Sequence, residues 1–286
     1  MQSLARHVYI EDHFPGVTLG AILLEEGLVQ VDAPPSPEDV RTWRGALMTL
    51  GGSSQRLLIN LDAHPDRTLG ARAMDCMVLA QEKTVAVFRS RPTTFKAQGD
   101  ETGSDWEGIP GLNSIRWVFP ELTFDQEMTI HWGEVTVRVE YHPGPSTGAS
   151  WVILPELKIV FVGDVVLRNQ PPFLANADIP AWLETLSVLG SVKYKGWQVV
   201  AGRGGVVEPE YIRSQAHFLK LAQTRISKFA QKKTSLDALD DMAKSLLGEF
   251  KVPQKSQAKY LRRLKHGIYQ YFIHNFQPSD RMAVEE

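Results

Sequence analysis

The sequence has a single cysteine, Cys76, in 286 residues. One thiol excludes an internal disulfide and any zinc site built from several thiolates. It is also typical of a reducing, cytoplasmic compartment. A bound metal would therefore need histidine, aspartate or glutamate ligands, and the chain offers eight histidines.

Long apolar runs and an excess of one charge are also missing. The best apolar run, residues 159–167, is interrupted by Gly163 and Asp164 and is shorter than the ~18 residues that span a membrane. Residues 1–15 lack the apolar core of a signal peptide. With 31 basic and 33 acidic residues, the net charge is −2, which argues against a general nucleic-acid binder. We expect a cytoplasmic protein with no membrane or nucleic-acid partner.

Residues 1–206 have the pattern of a mixed α/β body. Ser36 and Pro37 are typical of a helix start, and the apolar spacing predicts a helix over 37–50. We also predict a helix over 69–81 and a strand over 84–88. Further strands are predicted at 17–24, 27–31, 56–60 and 198–201.

Residues 207–286 form a second region with apolar residues at helical spacing. Three helices are predicted, at 208–232, 235–250 and 254–276. Aromatic residues of the last helix are compatible with a homodimer contact, although internal packing explains them better. Its basic residues, which include Lys259 and Arg263, are most simply a solvated face.

Four polar turns follow apolar strands of the body, at residues 62–67, 143–148, 163–164 and 202–204. Turns that follow neighbouring strands meet at one edge of a sheet, where α/β proteins place ligands and catalytic groups. These four turns are therefore the candidate functional site.

The order and spacing of these turns resemble the metallo-β-lactamase-fold superfamily. That family has the motifs H-x-H-x-D-H, P-G-H-T-x-G, G-D and G-H-G, and an apolar strand that ends in Asp, here Val31-Asp32. The similarity spans about residues 7–206 and is closest to the glyoxalase-II-like hydrolases. It implies a four-layer αββα sandwich, followed here by a helical extension, and a metal-dependent hydrolase ancestry.

The family's metal ligands match only in part. Three of seven ligand positions are unchanged, and one histidine position has an aspartate that can still ligate a metal. The retained residues are His64, Asp66 and Asp164, the aspartate replacement is Asp62, and the lost histidine positions are Arg67, Pro145 and Arg203.

The two arginines suggest a site that has lost its dinuclear zinc. A protonated guanidinium cannot ligate a metal. Arg67 and Arg203 are therefore expected to fill the space and charge role of the second metal. On this hypothesis the pocket binds a small anionic ligand or a partner, through Arg67, Arg203, Ser146 and Thr147.

Two other interpretations remain open. A single divalent ion (zinc, iron or manganese) held by Asp62, His64 and Asp164 would support hydrolysis of an ester or thioester, with Asp66 as the base. Alternatively, residues 62–67 are only a polar turn, with Asp66 as the N-cap of the following helix. The sequence thus allows no metal or one metal per chain.

Overall fold

The computed structural model describes residues 1–51, 55–97, 102–231 and 237–277. Its first sheet has seven strands in sequence order, antiparallel from β1 to β4 and parallel from β4 to β7. These strands are β1 (Gln2–Ala5), β2 (Val8–Glu11), β3 (Leu19–Leu23), β4 (Leu28–Val31), β5 (Arg56–Ile59), β6 (Met77–Gln81) and β7 (Leu122–Phe124).

The second sheet has six strands in the order β13-β12-β11-β10-β9-β8. Only the β11–β12 pair is parallel. The strands are β8 (Glu127–Ile130), β9 (Val137–Tyr141), β10 (Ser150–Leu154), β11 (Ile159–Phe161), β12 (Gln198–Val200) and β13 (Val206–Val207).

The two sheets pack face to face through their apolar sides. Val31 and Ile59 of the first sheet share one buried cluster with Val152 and Phe161 of the second. Because side chains alternate along a strand, neighbouring residues such as Leu28 point to the opposite face and contact the outer helices. Each sheet therefore has two apolar faces. One face packs against the other sheet, and the opposite face is covered by helices.

The helices on the first sheet are short. They are α1 (Pro37–Thr49), α2 (Pro65–Thr68), α3 (Ala71–Met74) and α4 (Glu82–Arg89). Ser36 caps α1 as predicted, because its hydroxyl accepts a hydrogen bond from the Asp39 amide at 3.0 Å. Val40, Trp43 and Leu47 are the buried face of that helix.

The prediction for residues 69–88 is wrong. The structure has strand β6 where the end of a long helix was expected, and helix α4 where a strand was expected. The apolar run in β6 is a buried parallel strand, which gives no alternating pattern. Helix α4 begins at Gln81, whose side chain accepts from the Lys83 amide at 2.6 Å.

Four helices cover the second sheet: α5 (Ile179–Leu189), α6 (Pro209–Ala230), α7 (Asp237–Leu247) and α8 (Gln254–Phe276). The predicted four-layer sandwich and its helical extension are thus confirmed. The predicted helix ends at residues 232 and 235 lie outside the described residues. None of the described helices is both long and apolar enough to cross a membrane.

The extension shares its core with the body. Leu264 and Ile268 of α8 belong to one buried cluster with Trp151 of β10 and Trp182 of α5. A boundary at residue 206 and a homodimer through these helices stay predictions. The shared core means that α8 is held in a fixed place against the sheet edge described next.

Candidate functional site

The predicted polar turns do meet at one edge of the sandwich. Asp32 follows β4, residues 62–67 follow β5, Asp164 follows β11 and Arg203 follows β12. A Cβ atom at Gly202 would lie 2.5 Å from Asp164 Oδ1. Only glycine fits there, which explains the small residue beside the charged groups.

Arg67 lies among three carboxylates and has no solvent exposure. Its Nη1 donates to Asp32 Oδ2 at 3.1 Å, and its Nε approaches Asp62 Oδ1 at 3.1 Å. Its Nη2 donates to Asp164 Oδ1. Burial alone would lower the pKa of Arg67, but these carboxylates raise it above its ordinary value. Arg67 is therefore a permanently charged group paired with three carboxylates, and its Nε, although close to Asp62, makes no hydrogen bond of its own.

Arg203 is paired in the same way on the other side of Asp164. Its Nε lies 3.2 Å from Asp164 Oδ1 and its Nη2 lies 3.2 Å from Oδ2, which is a bidentate pair. Its Nη1 donates to Asp66 Oδ2 at 2.6 Å and to Asp105 Oδ2 at 3.1 Å. Although burial would raise the pKa of Asp164, Arg203 and Arg67 hold it well below its usual range.

His64, not Asp66, caps helix α2. The His64 Nδ1 accepts a hydrogen bond from the Asp66 amide at 3.2 Å, so the hydrogen-bond network assigns the proton to Nε2. Burial and then Arg203 lower the pKa of His64 well below its ordinary value. His64 is thus a neutral imidazole, and the interpretation of Asp66 as the N-cap is wrong.

Asp66 is fully buried and faces away from the pocket described below. Its carboxylate accepts from the Trp106 amide at 2.7 Å and the Asp105 amide at 3.2 Å, and also from Arg203. Asp66 is absent from the residues that line that pocket, and its role as a base stays a prediction. Its geometry gives it a structural task, which is to hold the loop around Trp106.

Helix α8 reaches this charge cluster, which the sequence did not reveal. Lys259 Nζ lies 2.6 Å from Asp105 Oδ1. Arg263 is 1% exposed, and its Nη2 lies 3.4 Å from Asp105 Oδ2. Its Nε donates to the Gly103 carbonyl at 3.0 Å. For these two basic residues the expected solvated face is wrong, because they neutralise a partly buried carboxylate of the body.

The donor atoms predicted to hold one metal do not form a metal site as placed. Over the ranges that the structure describes, the only three acidic or histidine side chains with ligand atoms within 4.8 Å of one another are Glu11, Asp12 and His13. The carboxylates of Asp62 and Asp164 are occupied by arginines instead. The residues present therefore do not fit the metal centre that the resemblance implies.

A pocket of about 380 Å³ opens in front of the cluster. Asp62, His64 and Asp164 form its floor, and Ser146 and Thr147 lie on its wall. Its lining does not include Arg67 or Arg203, which are bonded behind the floor. The prediction that all four ligand-binding residues share one site is met only for the two hydroxyl residues.

Sequence reasoning missed one basic residue of this pocket, Arg91. It lies in a loop two residues beyond α4, where no sequence motif marks it as part of the site. Sequence reasoning also missed Asp105, because the loop in which it lies has no recognisable motif.

Comparisons with known proteins agree with this architecture. Residues 74–212 match the family model of the metallo-beta-lactamase superfamily. No curated protein sequence matches the chain. Over residues 74–212 the chain is thus similar to the metallo-beta-lactamase superfamily, and its αββα sandwich is the fold of that superfamily. The expected closeness to its glyoxalase-II-like branch stays a prediction.

Solved structures with the same fold are distant in sequence. A double mutant of the sec-alkyl sulfatase PisA1 has a TM-score of 0.71 and 14% identity, covering 99% of this chain and 51% of its own. The stereoselective inverting sec-alkylsulfatase Pisa1 from Pseudomonas sp. has a TM-score of 0.67 and 13% identity, with the same coverages of 99% and 51%. A metallo-beta-lactamase from Pontibacter korlensis has a TM-score of 0.60 and 17% identity, covering 77% and 97%.

The chain spans about half the length of the two alkylsulfatase structures. Their likeness covers nearly the whole chain, so it includes the helical extension, whereas the lactamase covers 77% of it. At these identities the comparisons establish the fold alone.

Proposed function

We propose that this chain is a divergent metallo-β-lactamase-fold protein in which two arginines replace the metals, and that its pocket binds a small organic anion without a metal. The observation that carries the proposal is the pairing of Asp62, Asp66 and Asp164 with Arg67 and Arg203. Each carboxylate that the resemblance assigns to a metal already has a guanidinium partner.

Electrostatics supports the loss of metal. A divalent ion about 6 Å from one guanidinium is repelled by roughly 5 kcal/mol at an effective dielectric of 20, and two guanidinium groups lie here. Metal entry would also break buried ion pairs, which costs about 3–5 kcal/mol for each pair lost. The arginines therefore compete with a metal both for space and for the carboxylate oxygens.

The pocket wall favours an anion as the ligand. The carboxylates of its floor, Asp62 and Asp164, are neutralised by the arginines behind them. His64 is neutral, so it adds no charge to the floor. Among the ion pairs of the described residues, none involves Arg91, which leaves its positive charge available to a ligand. Arg91 is therefore the group of the pocket wall with which an anion would pair, and Asp62 acts on its charge without forming an ion pair with it.

Elemental analysis of protein purified without chelator tests this proposal. We expect near-zero zinc, iron and manganese, even after each metal is supplied at neutral pH, and anion binding that is unchanged by EDTA. A content of about one ion per chain would instead favour the single-metal hydrolase of Asp62, His64 and Asp164. Ester or thioester hydrolysis that depends on that metal would confirm the alternative.

A further inference from the structure

Arg91 is a partly buried cation held by neutral groups. Its Nη1 donates to the Ala63 carbonyl at 2.8 Å. Its guanidinium lies 4.8 Å from the centre of the Trp117 ring and 5.5 Å from that of Phe88. These contacts fix the plane of the guanidinium group. Most of its five N–H donors are left without a carboxylate partner. It is therefore preorganised to receive an anionic group.

Ser146 supplies a second unsatisfied group on the same pocket wall. Its hydroxyl oxygen is buried and has no hydrogen-bond partner, although buried polar atoms are normally paired. Both Ser146 and Arg91 line the pocket. A ligand oxygen that accepts a hydrogen bond from this hydroxyl would give Ser146 the partner that it lacks.

The rest of the wall is suited to an apolar body. Trp106, Phe173, Val87 and Ala175 contribute to the lining. Phe173 is held in place by the His64 ring, whose centre lies 4.5 Å from its own. An aliphatic or aromatic group that binds there would be removed from water. This burial would stabilise the complex by about 25 cal/mol per Å² of apolar surface. A pocket of about 380 Å³ accepts a small ligand of this kind.

We propose that Arg91 and Ser146 recognise the head group of an organic monoanion, a carboxylate or a sulfonate-type group, whose short apolar tail lies against Trp106 and Phe173. One unpaired cation matches one negative charge. A second negative charge would face Asp62 and Asp164 without a partner. The inference rests on the proposed anion-binding function and adds the class of ligand and the residues that recognise it.

The test is isothermal titration calorimetry of the full chain at pH 8 with five probes. They are hexanoate, hexanesulfonate, hexyl phosphate, hexan-1-ol and inorganic sulfate. Hexanoate or hexanesulfonate is expected to bind most tightly, because each has both the single charge and the tail. Equal or tighter binding of hexanol would overturn recognition of charge, and equal or tighter binding of hexyl phosphate would overturn the preference for a monoanion.

Arg91→Gln is expected to weaken hexanoate or hexanesulfonate binding about ten- to a hundredfold, the range of a lost charge-assisted hydrogen bond. The matched control is Arg89→Gln, since Arg89 is exposed at the end of α4, two residues before Arg91. That control should bind like the unaltered chain.

Ser146→Ala provides a second variant that breaks no hydrogen bond within the protein, so it keeps the test valid if Arg91→Gln does not fold. It should weaken binding a few-fold, in line with the loss of one neutral hydrogen bond. If the organic anions bind and neither variant changes their affinity, the assignment of Arg91 and Ser146 is overturned while the proposed function stands. If none of the anions binds, the proposed function itself is overturned.

Discussion

The arginines behind the pocket and the arginine on its wall have opposite electrostatic surroundings. Arg67 and Arg203 are each bonded to carboxylates from several strand ends, which raise their pKa although burial would lower it. Arg91 has a carbonyl and two rings as partners, and burial lowers its pKa to about 10. A charge that is already neutralised contributes to the fold, whereas one that is not is available to a ligand. The predictions below test this difference.

Arg67→Met should have the largest effect. It leaves Asp32, Asp62 and Asp164 without their shared cation, and removing one partner of a buried pair costs about 3–5 kcal/mol. Urea unfolding measures the loss. Arg72→Met, which alters an exposed arginine of α3, is the control and should leave the free energy of unfolding unchanged. A loss below about 1 kcal/mol for Arg67→Met would contradict the view that this arginine is a structural group.

Asp105→Asn should have the next largest effect. Asp105 joins the body to α8 through Lys259 and Arg263 and also contacts Arg203. Its loss removes a carboxylate partner from each of these cations, although Arg203 keeps its two other carboxylate partners, and the expected cost is about 1–3 kcal/mol. Hydrogen exchange should show faster exchange of the α8 amides than in the unaltered chain.

The control for that variant is Asp241→Asn, because Asp241 pairs with Lys244 at 2.8 Å on an exposed surface. Unchanged exchange in α8 after Asp105→Asn would show that apolar packing alone holds the helix.

The contribution of His64 to stability should fall as the pH drops from 7 to 5, because His64 is neutral when folded. Burial raises the pKa of Asp32 to about 7, which acts in the opposite direction, so the His64 contribution is the difference between the unaltered chain and a His64 variant. The folded pKa of His64 is lowered by burial and Arg203, so the unfolded chain takes up a proton below about pH 6.5 and the folded chain does not. The expected slope is up to about 1.4 kcal/mol per pH unit.

His64→Asn, which keeps a capping oxygen for the Asp66 amide, should flatten that slope. NMR provides a second readout: His64 should not titrate in this range, while His13, whose pKa Glu11 raises, should do so above its ordinary value. A His64 signal that titrates at its ordinary pKa would mean that the cations of the cluster do not act on it.

Arg91→Met should have the smallest effect on stability, within about 1 kcal/mol, because exchanging a partly buried unpaired charge for an apolar group of similar volume is often neutral. Hexanoate binding should nevertheless be lost. A loss of unfolding free energy as large as that of Arg67→Met would contradict the distinction between arginines paired with carboxylates and Arg91.

Local sequence patterns located the candidate functional residues wherever these residues come directly after a strand. The turn at 62–67, Asp164 and Arg203 were found from sequence because strand ends converge by the geometry of the sheet. The segment 69–88 was misassigned because a buried parallel strand and a helix segment both give short apolar runs.

The sequence by itself determined the two-layer sheet architecture, the helical extension, and the loss of the family's histidines at Arg67 and Arg203. Only the tertiary structure decided which charges are paired. Asp105 meets Lys259 and Arg263 across more than 150 positions of the chain, and no periodicity encodes such a contact. Whether a buried charge is structural or available to a ligand depends on neighbours in space, because Coulomb energy and desolvation depend on distance and burial, not on order along the chain.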